Sequence, residues 1–226
     1  MKYHISFDID FKRNTGKGLY IAIEGIDGSG KTTQVKRLAD YFTKKGKQVV
    51  VTREPRYNGD GVISKLIREI LQGKTKIPPV AFQYLFSADR EMHHEELILP
   101  SLRQGKVVIS DRCFWSAIPY GIMDRGGAFK KNSLEYLLVS QSILSLYHQF
   151  TVPDKTFYLD VPLTVAMERL HNTHTIGSIY EDEKKLKKTI EGYQWLLQEF
   201  PKEFTIIDAN RSVDSVAKEI LSQIKE

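Results

Sequence analysis

The sequence predicts an α/β fold in three layers, a five-stranded parallel sheet with helices on both faces. Apolar runs rich in β-branched and aromatic residues recur at 19–24 (LYIAIE), 48–52 (QVVVT), 106–110 (KVVIS), 155–160 (KTFYLD) and 204–208 (FTIID). Amphipathic helical patterns separate them. The runs lack polar alternation, as expected for strands buried on both faces. Buried strands alternating with helices define a parallel sheet covered on each side.

The first run ends at Glu24 and is followed by a helical pattern in which Val35, Leu38, Ala39 and Phe42 share one face. After the last run, Val213, Val216, Ala217, Ile220, Leu221 and Ile224 repeat the pattern. Ahead of the sheet, Tyr3, Ile5, Phe7, Ile9 and Phe11 alternate with Lys2, His4, Ser6, Asp8, Asp10 and Lys12, the signature of a half-buried strand. The turn-forming stretch RNTGKG then leads to residue 19. Residues 1–18 are therefore read as an N-terminal extension, an edge strand or an arm onto a second subunit, and residues 19–226 as one domain.

Composition bounds the remaining possibilities. The 226 residues are 41% hydrophobic and 27% charged, and no apolar run approaches the ~20 residues of a membrane span. The single cysteine, Cys113, excludes an internal disulfide framework and suits a reducing cytoplasm. A net charge of +5 fits polyanionic partners, but no basic stripe with interleaved aromatics points to nucleic acid. The basic run at 184–188 follows EDE at 181–183 in a helical pattern and reads as a solvated face.

Two constellations carry chemistry. Gly25-Ile-Asp-Gly-Ser-Gly-Lys-Thr32 satisfies the phosphate-loop pattern between a strand and a helix, the context that pattern requires. Its glycines bring backbone N–H groups close to phosphate oxygens, Lys31 reaches the β and γ phosphates, and the Thr32 hydroxyl suits Mg²⁺. This places the sheet in the P-loop NTPase fold. The second constellation is Val107-Val-Ile-Ser-Asp111-Arg112, where a strand delivers an acid and a base to its carboxyl end, the ligand side of an open α/β sheet. Asp111 suits Mg²⁺, directly or through water, and Arg112 suits a phosphate clamp; a structural salt bridge is the competing reading.

The phosphate loop, Thr52-Arg-Glu-Pro55, Phe86-Ser-Ala-Asp-Arg90, Asp111-Arg112 with Ser116 and Tyr120, and PDKTFYLDVP at 153–162 together resemble the thymidylate kinases from about residue 19 onward. The resemblance implies transfer of the γ-phosphoryl group of ATP to dTMP with Mg²⁺ held by Thr32 and Asp111. ATP would be held by Gly25, Ile26, Gly28, Ser29, Gly30, Lys31, Thr32 and Thr33. Lys31, Asp27, Arg112 and Arg53 would be catalytic, with Asp27 near the acceptor 3′-OH and the arginines on the acceptor phosphate. Phe86 would stack on thymine, Arg90 would meet its edge with Arg68 nearby, and Tyr120 would crowd the sugar 2′ position beside Ser116. Core packing of Phe86, and a surface pair of Arg90 with Asp89 or Glu91, are the structural alternatives. A homodimer through the patterns at 60–71 and 132–148 is also implied.

The sequence departs from the family at two places. Relatives carry a catalytic cation in the phosphate loop or in a lid near 171–185, whereas this loop has Asp27 and the 171–181 part of the lid reads HNTHTIGSIYE without Arg or Lys. Arg169, Lys184, Lys185 and Arg125 are the substitutes to be tested. Pro119-Tyr-Gly121 stands where many relatives have Ala-Tyr-Gln, which removes an amide able to read the base. These departures leave a kinase for another deoxynucleotide or deoxynucleoside, or a nucleotide-binding regulator, as alternatives. His171 and His174 have no nearby Cys and sit in a polar loop, the adjacent His93 and His94 point differently on a helix, and both pairs read as structural, as does Cys113.

Overall fold

The computed structural model describes residues 8, 10–56, 61–124, 134–172 and 182–224. Its centre is a parallel sheet of β1 (Leu19–Glu24), β2 (Val49–Arg53), β3 (Val107–Asp111), β4 (Lys155–Asp160) and β5 (Thr205–Asp208), in the order β2-β3-β1-β4-β5. The expected strands are present, displaced by at most one residue at their ends. Burial explains the order. Tyr20, Ile21, Ala22 and Ile23 of β1 and every residue of β3 are buried, whereas β2 and β5 keep exposed positions at the edges.

Register fixes what meets at the ligand side. Ile23 pairs with Asp111, and Arg53 pairs with Asp111 from the other side, so β2 and β3 bring Arg53 and Asp111 together beside the end of β1. Burying each of the aliphatic side chains between them stabilises this alignment by about 1.5–3 kcal/mol.

Helices α1 (Lys31–Lys44), α2 (Val62–Leu71) and α3 (Pro79–His93) precede β3. A single π-helical turn, His94–Ile98, joins α3 to α4 (Leu99–Arg103), just where Pro100 has no N–H to donate four residues back. Helices α5 (Ala117–Asp124) and α6 (Leu134–Tyr147) lie between β3 and β4, and α7 (Leu163–Asn172) and α8 (Glu183–Glu199) between β4 and β5. Helix α9 (Val213–Ser222) closes the chain.

Helix α1 buries Val35, Leu38 and Phe42 as its periodicity requires, with Ala39 at the margin. In α9, Val216 and Ile220 are buried but Val213 is exposed. Val213 is the first helical residue after the Ser212 cap, so it has no neighbouring turn to press it onto the sheet. Along 184–188, Leu186 turns inward while Lys184 and Lys187 face solvent.

The alternating stretch 3–11 lies mostly outside the described residues, and among those residues no sixth strand joins the sheet. The described end of the extension packs against the domain. Phe11 packs against Trp115, Phe200 and Phe114 at centroid distances of 5.3, 6.0 and 6.1 Å. Lys12 forms one parallel bridge with Thr151, Arg13 binds Glu203 through two contacts, and Asn14 donates to Asp154 and Gly18.

Candidate active site

The loop between β1 and α1 is shaped by close approach. A Cβ on Gly28, whose φ is +80°, would sit 2.3 Å from the Ala166 carbonyl oxygen, so only glycine allows α7 to press against the loop. Gly30 precedes α1 in a left-handed conformation and no side chain caps the helix, leaving its first N–H groups available to an anion. The Lys31 ammonium donates to the Ile26 carbonyl at 2.8 Å and lies 3.7 Å from Asp27. Burial, reinforced by the neighbouring Arg112 cation, lowers the Lys31 pKa to about 8.

Thr32 Oγ1 donates to Asp111 Oδ2 at 2.7 Å. Asp111 Oδ1 is buried and makes no hydrogen bond among the described residues. An orphaned carboxylate oxygen beside a hydroxyl, next to the phosphate loop, is a donor set suited to a hard divalent cation.

Arg112 is the hub of a hydrogen-bond network beside the loop. Its φ of 72° is rare for a residue with a Cβ, and such strain costs about 1–3 kcal/mol. Two bonds hold it: Arg112 N donates to the Ile23 carbonyl at 2.9 Å and Ser110 Oγ donates to the Arg112 carbonyl at 2.5 Å. The guanidinium donates to Asp27 Oδ1 at 2.6 Å, Tyr120 OH at 2.7 Å, Tyr193 OH at 3.1 Å and Ser116 Oγ at 3.2 Å. Burial works to raise the Asp27 carboxyl, but Arg112 and Lys31 outweigh it and hold the acid below its usual range. Burial pushes the Tyr120 and Tyr193 phenols well up, so both remain neutral hydroxyls.

Beneath Arg112 lies a residue the sequence reading passed over. Glu24 is fully buried and accepts from Tyr193 OH at 2.7 Å, Ser116 Oγ at 2.6 Å and the Cys113 amide at 2.9 Å. An acid closing an otherwise apolar strand was the signal available for Glu24. Tyr193 comes from α8, 169 residues away, and no local pattern marks it.

A second buried acid organises α3. Glu54 accepts from Arg90 Nε at 2.5 Å and faces His93 at 3.5 Å, while His93 meets Thr52 Oγ1 at 2.6 Å. Burial raises a carboxyl, yet Arg90 and then His93 draw Glu54 down to about 2. Arg90 therefore does not pair at the surface with Asp89 or Glu91. Asp89 instead accepts from Arg56 and Ser64, and the Arg90 guanidinium lies 4.5 Å over the Tyr147 ring. Phe86 is half-buried, with Phe82 behind it at a centroid distance of 4.2 Å and the core enclosing Phe82 rather than Phe86.

The phosphate loop, Glu54, Phe86, Arg90, Asp111 and Arg112 line one cleft of about 970 Å³. At one end are Gly28, Ser29, Gly30, Lys31, Thr32 and Thr33, with Arg169, Ala209 and Arg211 flanking them. At the other are Arg53, Arg68, Phe86, Arg90, Ser116 and Tyr120, with Gln83, which the sequence reading did not single out. Asp27, Asp111 and Arg112 lie between. Gly25 and Ile26 sit beneath the loop, where Ile26 is buried and offers its carbonyl to Lys31. From α7, Arg169 donates to the Ala209 carbonyl at 3.0 Å and reaches the Ser29 carbonyl at 3.5 Å. Lys184 and Lys185 stand in the first turn of α8, where Asp182 caps their amides. Residues 173–181 of the expected lid, with His174, and Arg125 lie outside the described residues.

An anion-binding loop of this form, at the carboxyl ends of a parallel sheet, marks a P-loop nucleotide-binding protein of the α/β class. A family model described as thymidylate kinase matches residues 23–220. A thymidylate kinase of Thermoanaerobacter sp. (strain X514) is 36% identical over 211 residues, covering 93% of this chain and 98% of its own length. One from Bifidobacterium longum (strain NCC 2705) is 37% identical, covering 92% and 98%, and a probable thymidylate kinase of Thermococcus kodakarensis is 38% identical, covering 92% and 97%. The chain belongs to the thymidylate kinase family.

Proposed function

We infer that this chain transfers the γ-phosphoryl group of ATP to dTMP, giving ADP and dTDP. The observation that carries the reading is the single cleft with a phosphate loop at one end, a cation-lined middle at Asp27, Arg112 and Arg53, and an aromatic wall at Phe86. ATP lies on Gly28 to Thr33, and dTMP lies between Arg112 and Phe86.

An oxygen of the acceptor phosphate attacks Pγ in line, forming the new P–O bond as the bond to the β-phosphate oxygen breaks and ADP leaves with its electron pair. No enzyme nucleophile is involved. Lys31 neutralises the transferring group from the donor side, and Arg112 and Arg53 offset the acceptor phosphate's charge as the two polyanions approach. Asp27 and Tyr120 hold the Arg112 fork in place and so limit the reorganisation left for the transition state. Tyr120 also lines the sugar region, where it disfavours a 2′-hydroxyl. Thr32 and Asp111 would hold Mg²⁺, which when bound offsets phosphate charge.

Arg169 is the described cation nearest the loop from the α7 side and takes the place of a lid arginine. The cytoplasm is the proposed compartment, in line with the lone buried Cys113 and with no described helix long and apolar enough to cross a membrane. A homodimer through α2, α3 and α6 is proposed from the exposed Val62, Tyr84 and Leu138 on those helices. Sedimentation at micromolar concentration tests it.

The deciding experiment is a panel of deoxynucleotide and nucleoside acceptors with ATP and Mg²⁺. Formation of dTDP with strong preference for dTMP is expected. Activity confined to nucleosides would overturn the assignment.

A further inference from the structure

Glu24 closes β1 with an acid that is fully buried and does not line the cleft, and Tyr193 beside it is equally enclosed. Glu24 Oε2 accepts from Tyr193 OH at 2.7 Å and from Ser116 Oγ at 2.6 Å, while Oε1 accepts from the Cys113 amide at 2.9 Å and the Cys113 thiol at 3.4 Å. A buried carboxylate is strongly unfavourable without such donors. Two of them are hydroxyls whose oxygens also meet Arg112: its Nη1 donates to Tyr193 OH at 3.1 Å and to Ser116 Oγ at 3.2 Å.

The order of donors and acceptors is directional. A carboxylate only accepts and a guanidinium only donates, whereas a hydroxyl has one proton to place. With both protons given to Glu24, both oxygens keep lone pairs for Nη1. The two oxygens are 3.0 Å apart, close enough for one hydroxyl to donate to the other, so the carboxylate is what fixes the arrangement. Tyr193 reaches this point because α8 presses on α5: a Cβ on Gly192 would lie 2.6 Å from Pro119 Cα. The Tyr158 ring backs Tyr193 at a centroid distance of 4.9 Å. The other nitrogen of the fork is held differently, since Nη2 binds Asp27, whose side chain is 27% exposed and lines the cleft.

We propose that Glu24 is a positioning residue for phosphoryl transfer, acting on Arg112 through the Tyr193 and Ser116 hydroxyls. An arriving phosphate monoester competes with Asp27 for Nη2, while the Nη1 anchor to the buried acid holds the fork aimed into the cleft. Glu24 touches no substrate. The proposal rests on the dTMP kinase reading for the identity of the phosphate and names what keeps its clamp in place.

Glu24→Gln keeps the shape but replaces one acceptor oxygen with a donor, which disturbs the proton order at the hydroxyls. It is expected to lower kcat/KM for dTMP ten- to a hundredfold, with calorimetric ATP affinity within twofold of the unaltered protein. Tyr193→Phe, which removes one of the two relays, should lower it three- to tenfold. Because Glu24 acts through the hydroxyls, adding Glu24→Gln to Tyr193→Phe with Ser116→Ala should cost less than threefold more. A full further loss in that background marks a merely structural acid and overturns the proposal. Unchanged kcat/KM for dTMP in folded Glu24→Gln, or an equal loss of ATP and dTMP affinity, overturns it as well. Should Glu24→Gln fail to fold, Tyr193→Phe decides, and a loss under twofold there rejects the relay. If the unaltered protein forms no dTDP, the functional reading fails, and calorimetric dTMP binding still tests the positioning: Glu24→Gln should weaken it about tenfold, and equal binding would reject it.

Discussion

Asp27 of the phosphate loop and Arg112 at the end of β3 are joined at 2.6 Å in the middle of the cleft. The same guanidinium nitrogen reaches Tyr120, and the other meets Ser116 and Tyr193. One planar fork thus ties the loop, the strand end, α5 and α8 together. A lysine cannot do this, because its ammonium is a single point on a flexible stem. Arg112→Lys is expected to lower kcat/KM for dTMP by about a hundredfold or more while KM for ATP changes little. Steady-state kinetics with each substrate varied in turn checks this; a loss under threefold would remove Arg112 from the acceptor site.

Lys31 gives a pH signature. Its pKa falls from 10.5 to about 8 through burial and the Arg112 cation, so below pH 8 it is charged and above pH 8 it is largely neutral. A bound polyphosphate favours the charged form. Binding of ATP should therefore weaken as pH rises through 8, by up to about tenfold per unit, with proton uptake seen in buffers of different ionisation enthalpy. In Lys31→Ala the dependence should flatten and transfer should fall by about a thousandfold or more. A flat profile in the unaltered protein would contradict the assignment.

The parts of the site that the sequence made legible are those whose chemistry is local. The phosphate loop, Thr52 to Pro55 and Asp111-Arg112 each sit at a strand end, and β1, β2 and β3 lie side by side, so a local reading placed them in one crevice. The hidden parts are contacts between distant segments. Tyr193 reaches Glu24 and Arg112 from α8, and Gln83 meets Gly121 across two helices, relations set by packing rather than by spacing. The Arg90 partner was hidden for a related reason. Its helix face points at Glu54 at the end of β2, while its sequence neighbour Asp89 turns toward Arg56. Most of the N-terminal alternation lies outside the described residues, and its described end is held through the packing of Phe11 on Trp115, a contact between distant segments.

The Glu54 and Arg90 pair predicts acid behaviour. The Glu54 pKa is depressed from 4.5 to about 2, so its contribution to stability is fully present above pH 4.5 and is lost as pH falls toward 2. The amount is roughly 3 kcal/mol from the size of the shift. Glu54→Gln should remove that part of the acid dependence. At neutral pH it should destabilise the protein by about 3–5 kcal/mol, because the buried Arg90 loses its counter-charge. Urea unfolding between pH 3 and 7 checks both statements, and parallel curves for the two proteins would reject them.

On the proposed reading, Arg169 supplies the cation that neither the loop nor the 171–181 sequence carries as an arginine. It stands beside the phosphate loop, held by the Ala209 carbonyl at 3.0 Å, and a Cβ at Gly30 would lie 3.9 Å from its Nη1. On the proposed reading its charge is therefore held beside the phosphate loop by α7 and the Ala209 and Ser29 carbonyls. Arg169→Ala should lower kcat about ten- to a hundredfold and raise KM for ATP, leaving calorimetric dTMP affinity unchanged. Arg169→Lys should restore part of the loss, since it keeps the charge and gives up the fork. Equal activity of Arg169→Ala and the unaltered protein would transfer the role to the α8 lysines, and the same assay on Lys184→Ala and Lys185→Ala would then locate it.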